Sequence, residues 1–222
     1  MKEAVRKLKI VINAAMTADG KIATKSGNSA ISSNVDLRRV HQLRNSADAI
    51  MVGISTVLAD DPQLTVRFGA AVSRSPTRVV VDSTGRIPSS SRLLKKANEL
   101  NTIVAASKRI SFDNIRRIES TGAKVLVAGR NKVELRKVFR MLEEMGYKRI
   151  LVEGGGELNW SVLKLGIVDE LIITMSPRIV GGRSAVTLVE GEGCDRISEG
   201  IPLKLRDVRR NANGEMILFY EL

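Results

Sequence analysis

The sequence predicts an α/β fold with a mostly parallel central sheet, helices on both of its faces and a C-terminal antiparallel hairpin. Three observations carry that class. Short apolar runs rich in Val and Ile alternate with segments of helical spacing from Leu8 to Ser176, the order that builds parallel strands joined by crossover helices. The last two strand-like runs instead flank Asn213-Gly214, a hairpin signal. Between the sixth run and the helical pattern after it stand three glycines, Gly154-Gly155-Gly156, which read as a tight strand-to-helix turn. No segment rich in Gly, Pro or Ser divides the chain and no repeat is visible, so residues 1–222 read as one domain.

Leu8 to Met16 reads as a buried first strand, ended by the turn Thr17-Ala18-Asp19-Gly20-Lys21. After the loop Ser26-Gly27-Asn28-Ser29, the residues Ser32, Ser33 and Asn34 offer N-cap side chains and Asp36 an acidic first turn. A helix is therefore expected from about Asn34 to Arg44, with Leu37, Val40 and Leu43 inward and His41 and Arg44 flanking that face. Ala47 to Gly53 is the second strand, Ile54 to Leu58 a short helix, and Ala59 to Arg67 a polar loop. The third strand, Arg78 to Asp82, ends on a carboxylate and the turn Ser83-Thr84-Gly85-Arg86. Thr102 to Ala106 is the fourth strand, about Phe112 to Ser120 a helix, Lys124 to Val127 the fifth strand and about Val133 to Met145 a helix. Arg149 to Val152 leads into the glycine turn and its helix; Glu170 to Ser176 follows, and the hairpin pairs Leu203–Arg209 with Glu215–Glu221. Gly53, Asp82 and Glu153 all close strands, which places them on one crevice where such sheets bind ligands.

Charge narrows the partner. The 36 Lys+Arg against 24 Asp+Glu leave a net +12, which suits nucleic acid or a phosphorylated small molecule. Only 4 Phe, 2 Tyr and 1 Trp are present, widely spread, so no base-stacking platform forms. The basic residues sit as pairs on separate elements, as in Arg38-Arg39 and Arg116-Arg117, and not in a tail. A phosphate-bearing ligand is favoured over nucleic acid. No apolar run approaches the roughly 18 residues of a membrane span, and Met1 to Lys9 lacks a signal-peptide core, so a cytoplasmic protein without membrane contact is expected. One cysteine, Cys194, and one histidine, His41, leave no disulfide framework and no multi-Cys or multi-His metal site.

Three adjacent glycines lose much conformational freedom on folding and need a reason. In Glu153-Gly154-Gly155-Gly156-Glu157 two reasons stay open. The bare amides of a helix start bind anions, or the glycines only let helix and strand pack closely. The pattern is neither G-x-G-x-x-G nor a P-loop. Asp60-Asp61 reads as a pair of loop acids before Pro62, or weakly as a metal site. Arg44 and Arg67 suit bidentate contact with phosphate. His41, on a polar helix rim, reads as structural before catalytic, and Cys194 as incidental. Redox chemistry without a cysteine pair needs a borrowed cofactor. The residues alone reach an α/β domain that binds a phosphorylated ligand through glycine turns and arginines.

The motifs in order go further. Asn13-Ala14-Ala15-Met16-Thr17-Ala18-Asp19-Gly20-Lys21-Ile22-Ala23, then Leu37 to Arg44, then Val52 to Arg67 with Thr56-Val57-Leu58-Ala59-Asp60-Asp61-Pro62, then Val79 to Ser83 and Val152 to Gly156, together resemble the riboflavin-biosynthesis pyrimidine reductases of the stand-alone archaeal type. The resemblance runs from about Lys9 to Glu221. It implies a dihydrofolate-reductase-like fold, a homodimer, and reduction of a ribosylaminopyrimidine phosphate by NADPH through a ring-opened Schiff base. With one Cys and one His, this sequence is not expected to form the zinc deaminase that bacterial relatives carry, and the resemblance then implies 2,5-diamino-6-ribosylamino-4(3H)-pyrimidinone 5′-phosphate as substrate. Carried over by motif, Thr56, Asp60, Val81, Ser83, Gly154, Gly155, Gly156 and Glu157 contact NADPH. Arg44, Leu64, Arg67 and Glu153 face the substrate, and Glu153, Asp60 or a bound water supplies the proton. Ser107-Lys108-Arg109, Arg86 and Arg130 are candidates for the 2′-phosphate. Ala30 stands where bacterial relatives have Trp, so the loop contacts at Asn28 to Ala30 differ. Two rivals remain: a dihydrofolate reductase of the same fold, and a nucleic-acid binder with steep salt dependence. Reduction of the deaminated pyrimidine is a third variant of the same chemistry.

Overall fold

Unbroken apolar runs become strands because β-branched side chains pack well on both faces of a covered sheet. In a computed structural model that describes residues 8–67 and 75–222, the strands are β1 (Lys9–Thr17), β2 (Ala49–Gly53), β3 (Thr77–Val81), β4 (Thr102–Ala106), β5 (Lys124–Val127), β6 (Arg149–Val152), β7 (Glu170–Ser176), β8 (Lys204–Arg210) and β9 (Met216–Glu221). The helices are α1 (Asn34–Asn45), α2 (Ile54–Asp60), α3 (Arg92–Lys95), α4 (Phe112–Glu119), α5 (Leu135–Glu144) and α6 (Gly156–Leu163). Most of the charged start, Met1 to Lys9, lies outside the described residues.

The nine strands form one sheet in the order β5-β4-β3-β2-β6-β1-β7-β9-β8. Strands β1 to β7 pair in parallel, and β9 pairs antiparallel with both β7 and β8. The fold class read from the sequence stands. Alternate residues serve opposite faces. Ala49, Met51, Val79, Ile150 and Val152 share a core with Val138, Phe139 and Leu142 of α5 and with Leu158 and Val162 of α6. Ile50, Val52, Val80 and Val104 instead pack with Val57 of α2, Leu93 and Leu94 of α3 and Ile118 of α4. Strand β8 is exposed along its whole length.

Three expectations change. The one-turn helix α3, capped by the Ser91 hydroxyl, was absent from the sequence reading because four residues are too few to show a helical period. The buried residues of α1 are Asp36, Val40 and His41, while Leu37 is 37% exposed. Asp36 can be buried because Ser32 Oγ, Arg39 Nε and Thr174 Oγ1 all donate to its carboxylate, at 2.6, 2.8 and 2.7 Å. Asp82 closes a strand but not a crevice. Fully buried, it accepts the Ile87 amide at 2.8 Å and shapes the turn after β3. Arg78, buried at the start of β3, donates to the carbonyls of Lys96 and Leu100 and to the Thr102 hydroxyl, and burial pushes its pKa down to about 10 against the pull of Glu99.

Candidate active site

The carboxyl ends of β1, β2, β3 and β6 lie side by side because these strands are parallel and neighbouring. A cavity of about 900 Å³ opens there. Asn13 and Ala15 come from β1, Gly53 from β2, Val81 and Ser83 from the end of β3, and Glu153 from the end of β6. Thr56 and Asp60 of α2 and Arg44 of α1 also line it, beside the glycine turn.

Each glycine of the turn has its own reason. Gly154 and Gly155 adopt φ of +87° and +50°, which side chains disfavour. A Cβ on Gly155 would also stand 3.1 Å from Thr56 Oγ1. Gly156 has no such strain, but a Cβ there would meet the Thr187 carbonyl oxygen and Glu190 Cγ, both at 2.7 Å. The close-packing reading therefore holds at Gly156, against the 187–190 segment and not against the sheet. That segment is tied down by Glu190 N donating to Gly156 O at 3.1 Å and by Asn159 Nδ2 donating to Leu188 O at 2.9 Å. No side chain caps the start of α6, whose first residues, Gly156, Glu157 and Leu158, line the cavity.

Arg44 and Glu153 form a two-toothed ion pair. Arg44 Nε donates to Glu153 Oε1 at 2.8 Å and Nη2 to Oε2 at 2.7 Å, with side chains only 14% and 10% exposed. Arg44 Nη1 also donates to the Thr65 carbonyl at 3.2 Å. Burial alone would make the guanidinium give up its proton more readily, but Glu153 outweighs it and raises the Arg44 pKa. Both carboxylate oxygens are thus engaged as acceptors. Asp60 accepts Ser29 Oγ at 2.9 Å. Asp61, left-handed at φ 40°, turns away and accepts the Arg92 amide, so the two acids act separately.

Of the residues singled out from sequence, Arg44, Thr56, Asp60, Val81, Ser83, Glu153, Gly154, Gly155, Gly156 and Glu157 all line this one cavity. Leu64 and Arg67 do not. Leu64 is 3% exposed and belongs to the core that includes Val57 of α2, and Arg67 is exposed. Arg86 and Arg109 line the cavity, while Ser107 is buried, holding the Ser83 carbonyl at 2.8 Å. Cys194 is exposed and does not line this cavity.

Sequence reading missed Asn13, Lys132 and Glu190. Asn13 carried a signal, a polar residue within an apolar strand. Its Oδ1 accepts Arg39 Nη2 at 2.9 Å, which turns its amide nitrogen away from the guanidinium. Lys132 follows β5 and was reachable by the strand-end rule. Glu190 comes from a long loop after β7 and had no local signal.

The chain is 48% identical over 198 residues to the 2,5-diamino-6-ribosylamino-4(3H)-pyrimidinone 5′-phosphate reductase of Methanothermobacter thermautotrophicus, covering 89% of this chain and 90% of that one. The crystal structure of a diaminohydroxyphosphoribosylaminopyrimidine deaminase/5-amino-6-(5-phosphoribosylamino)uracil reductase from Thermotoga maritima superposes with TM-score 0.81 at 25% identity, over 96% of this chain and 56% of that one. Dihydrofolate reductase from Enterococcus faecalis shares the fold at TM-score 0.52 and 13% identity, over 96% of this chain and 95% of that one. A family model described as the RibD C-terminal domain matches residues 8–219, and the chain belongs to that family.

Proposed function

We propose that the chain, as one reductase domain, reduces the ribosyl side chain of 2,5-diamino-6-ribosylamino-4(3H)-pyrimidinone 5′-phosphate to a ribitylamino group with NADPH. The observation that carries the reading is the cavity in which the uncapped start of α6 and its glycine turn stand beside the buried Arg44–Glu153 pair. The cofactor supplies a hydride. The protein's part is to bind, orient and manage protons. Thr56, Asp60, Val81, Ser83 and the Gly154 to Glu157 turn would hold the dinucleotide, and Arg44, Arg67 and Glu153 the substrate. Ring opening leaves a C1′=N imine; hydride adds to C1′ and a proton to nitrogen, giving CH₂–NH. Holding the two reacting carbons in near-attack geometry is the main service of the walls.

NADPH over NADH is supported by three cations lining the far end of the cavity: Arg86 after β3, Arg109 after β4 and Lys132 after β5. Arg109→Ala is expected to weaken NADPH about tenfold, the value of one charge-assisted contact, while NADH changes little. Titration of both cofactors checks it, and equal weakening of the two would remove Arg109 from 2′-phosphate recognition. A homodimer is supported by the bare strand β8, where Leu205 and Val208 are 52% and 47% exposed; light scattering at twice the chain mass tests it. A cytoplasmic location is part of the same proposal; no helix among the described residues is long and apolar enough to cross a membrane.

Steady-state NADPH oxidation with the diaminopyrimidine, its deaminated analogue and dihydrofolate tests the substrate. Preference for the first is expected. Preference for dihydrofolate would overturn the reading.

A further inference from the structure

The only histidine of the chain is buried, 2% exposed, yet no chemistry above uses it. It sits on α1 three residues before Arg44. His41 Nδ1 accepts the backbone amide of Arg67 at 3.1 Å. The Thr65 carbonyl, which Arg44 Nη1 reaches at 3.2 Å, also engages the His41 ring. One turn of α1 therefore holds the 64–67 segment twice, through an imidazole and a guanidinium. The segment needs holding. Leu64 has φ +50°, a left-handed conformation that costs a side chain roughly 1–2 kcal/mol. No regular element covers residues 61–67.

We infer that His41 is a positioning residue for the substrate phosphate: its neutral ring fixes the Thr65–Arg67 backbone and so sets where the Arg67 guanidinium stands relative to the cavity. The inference rests on the proposed pyrimidine phosphate chemistry. Its physical content is the acceptor role of Nδ1, which only the unprotonated nitrogen can fill. Three charged groups face the ring: Arg44 from α1, Arg67 from the held segment and Glu153 from the end of β6. Burial first, then the two arginines, lower the His41 pKa, and Glu153 and the Thr65 carbonyl oppose them. The sign follows. A ring that resists protonation when folded keeps its contact above the ordinary histidine pKa of about 6.5, and loses it as pH falls through the lowered folded value. Acidification should then weaken substrate binding before it touches the dinucleotide end.

Two variants separate positioning from packing. His41→Leu fills the space without an acceptor, and His41→Asn restores an acceptor near the place of Nδ1. His41→Leu is expected to raise the substrate KM about tenfold, the size of one lost buried hydrogen bond, with kcat and NADPH affinity little changed. Hydrogen exchange at the Arg67 amide should quicken by a similar factor. His41→Asn should recover KM and amide protection, and should flatten the acid limb of the KM–pH profile. An unchanged KM in His41→Leu, or a His41→Asn variant as impaired as His41→Leu, would overturn the inference. Amide exchange needs no substrate. If the wild-type enzyme reduced none of the pyrimidines, the function would fail while exchange at Arg67 still reported on the clamp.

Discussion

Glu153→Gln is expected to lower turnover about 100-fold or more, the scale of positioned proton transfer, while NADPH binding stays close to wild type. Two physical effects combine. Glutamine cannot deliver a proton, and its amide offers one acceptor where the Arg44 fork uses two. Because the pair is mostly buried, the variant also leaves a guanidinium short of its countercharge, so thermal stability should fall as well. Stopped-flow single turnover separates the two effects, since folded enzyme saturated with NADPH reports chemistry alone. As the pair stands, both oxygens of Glu153 are acceptors, so donating a proton requires that arriving substrate draw Arg44 partly away. Asp60→Asn is the matched comparison, because Asp60 lines the same cavity. If Glu153→Gln turned over like wild type, Glu153 would be excluded from the chemistry.

Gly156→Ala is expected to weaken NADPH about tenfold or more and to lower the unfolding midpoint, since overpacking typically costs about 1–3 kcal/mol. The added methyl would press on the Thr187 carbonyl, which is backbone, as well as on the flexible Glu190 side chain. The relief available is to move the 187–190 segment, and that breaks the Glu190 N to Gly156 O bond that closes the cavity over the start of α6. Cofactor fluorescence titration with a thermal melt checks both halves. Unchanged NADPH affinity would mean the 187–190 segment takes no part in holding the dinucleotide.

The parallel sheet was legible because its strands are covered on both faces and so are written as unbroken apolar runs, as in Ile150-Leu151-Val152. The strand-end rule then placed Gly53 and Glu153 on one crest without any side-chain geometry. It failed at Asp82, where the same position carries a buried turn-forming carboxylate, because strand-end acids look alike in sequence whether they face inward or toward a ligand. Partnerships across long separations were invisible. The Arg44–Glu153 pair joins residues 109 apart, and both had been assigned to substrate with no hint that they bind each other. Glu190 reaches the site from a loop with no periodicity, and only its contact with Gly156 explains the third glycine. Arg67 was legible as a motif residue, but the hold of His41 Nδ1 on its backbone amide is a contact that no spacing rule encodes.

Transfer of deuterium from nicotinamide-deuterated NADPH to the diaminopyrimidine ribosylphosphate tests the assignment most directly. Mass spectrometry and NMR of the product should show one deuterium, located at C1′ of a ribitylamino chain, with one cofactor oxidised per product formed. A product carrying no deuterium, deuterium placed on the pyrimidine ring, or cofactor left unoxidised in the presence of this substrate would contradict it.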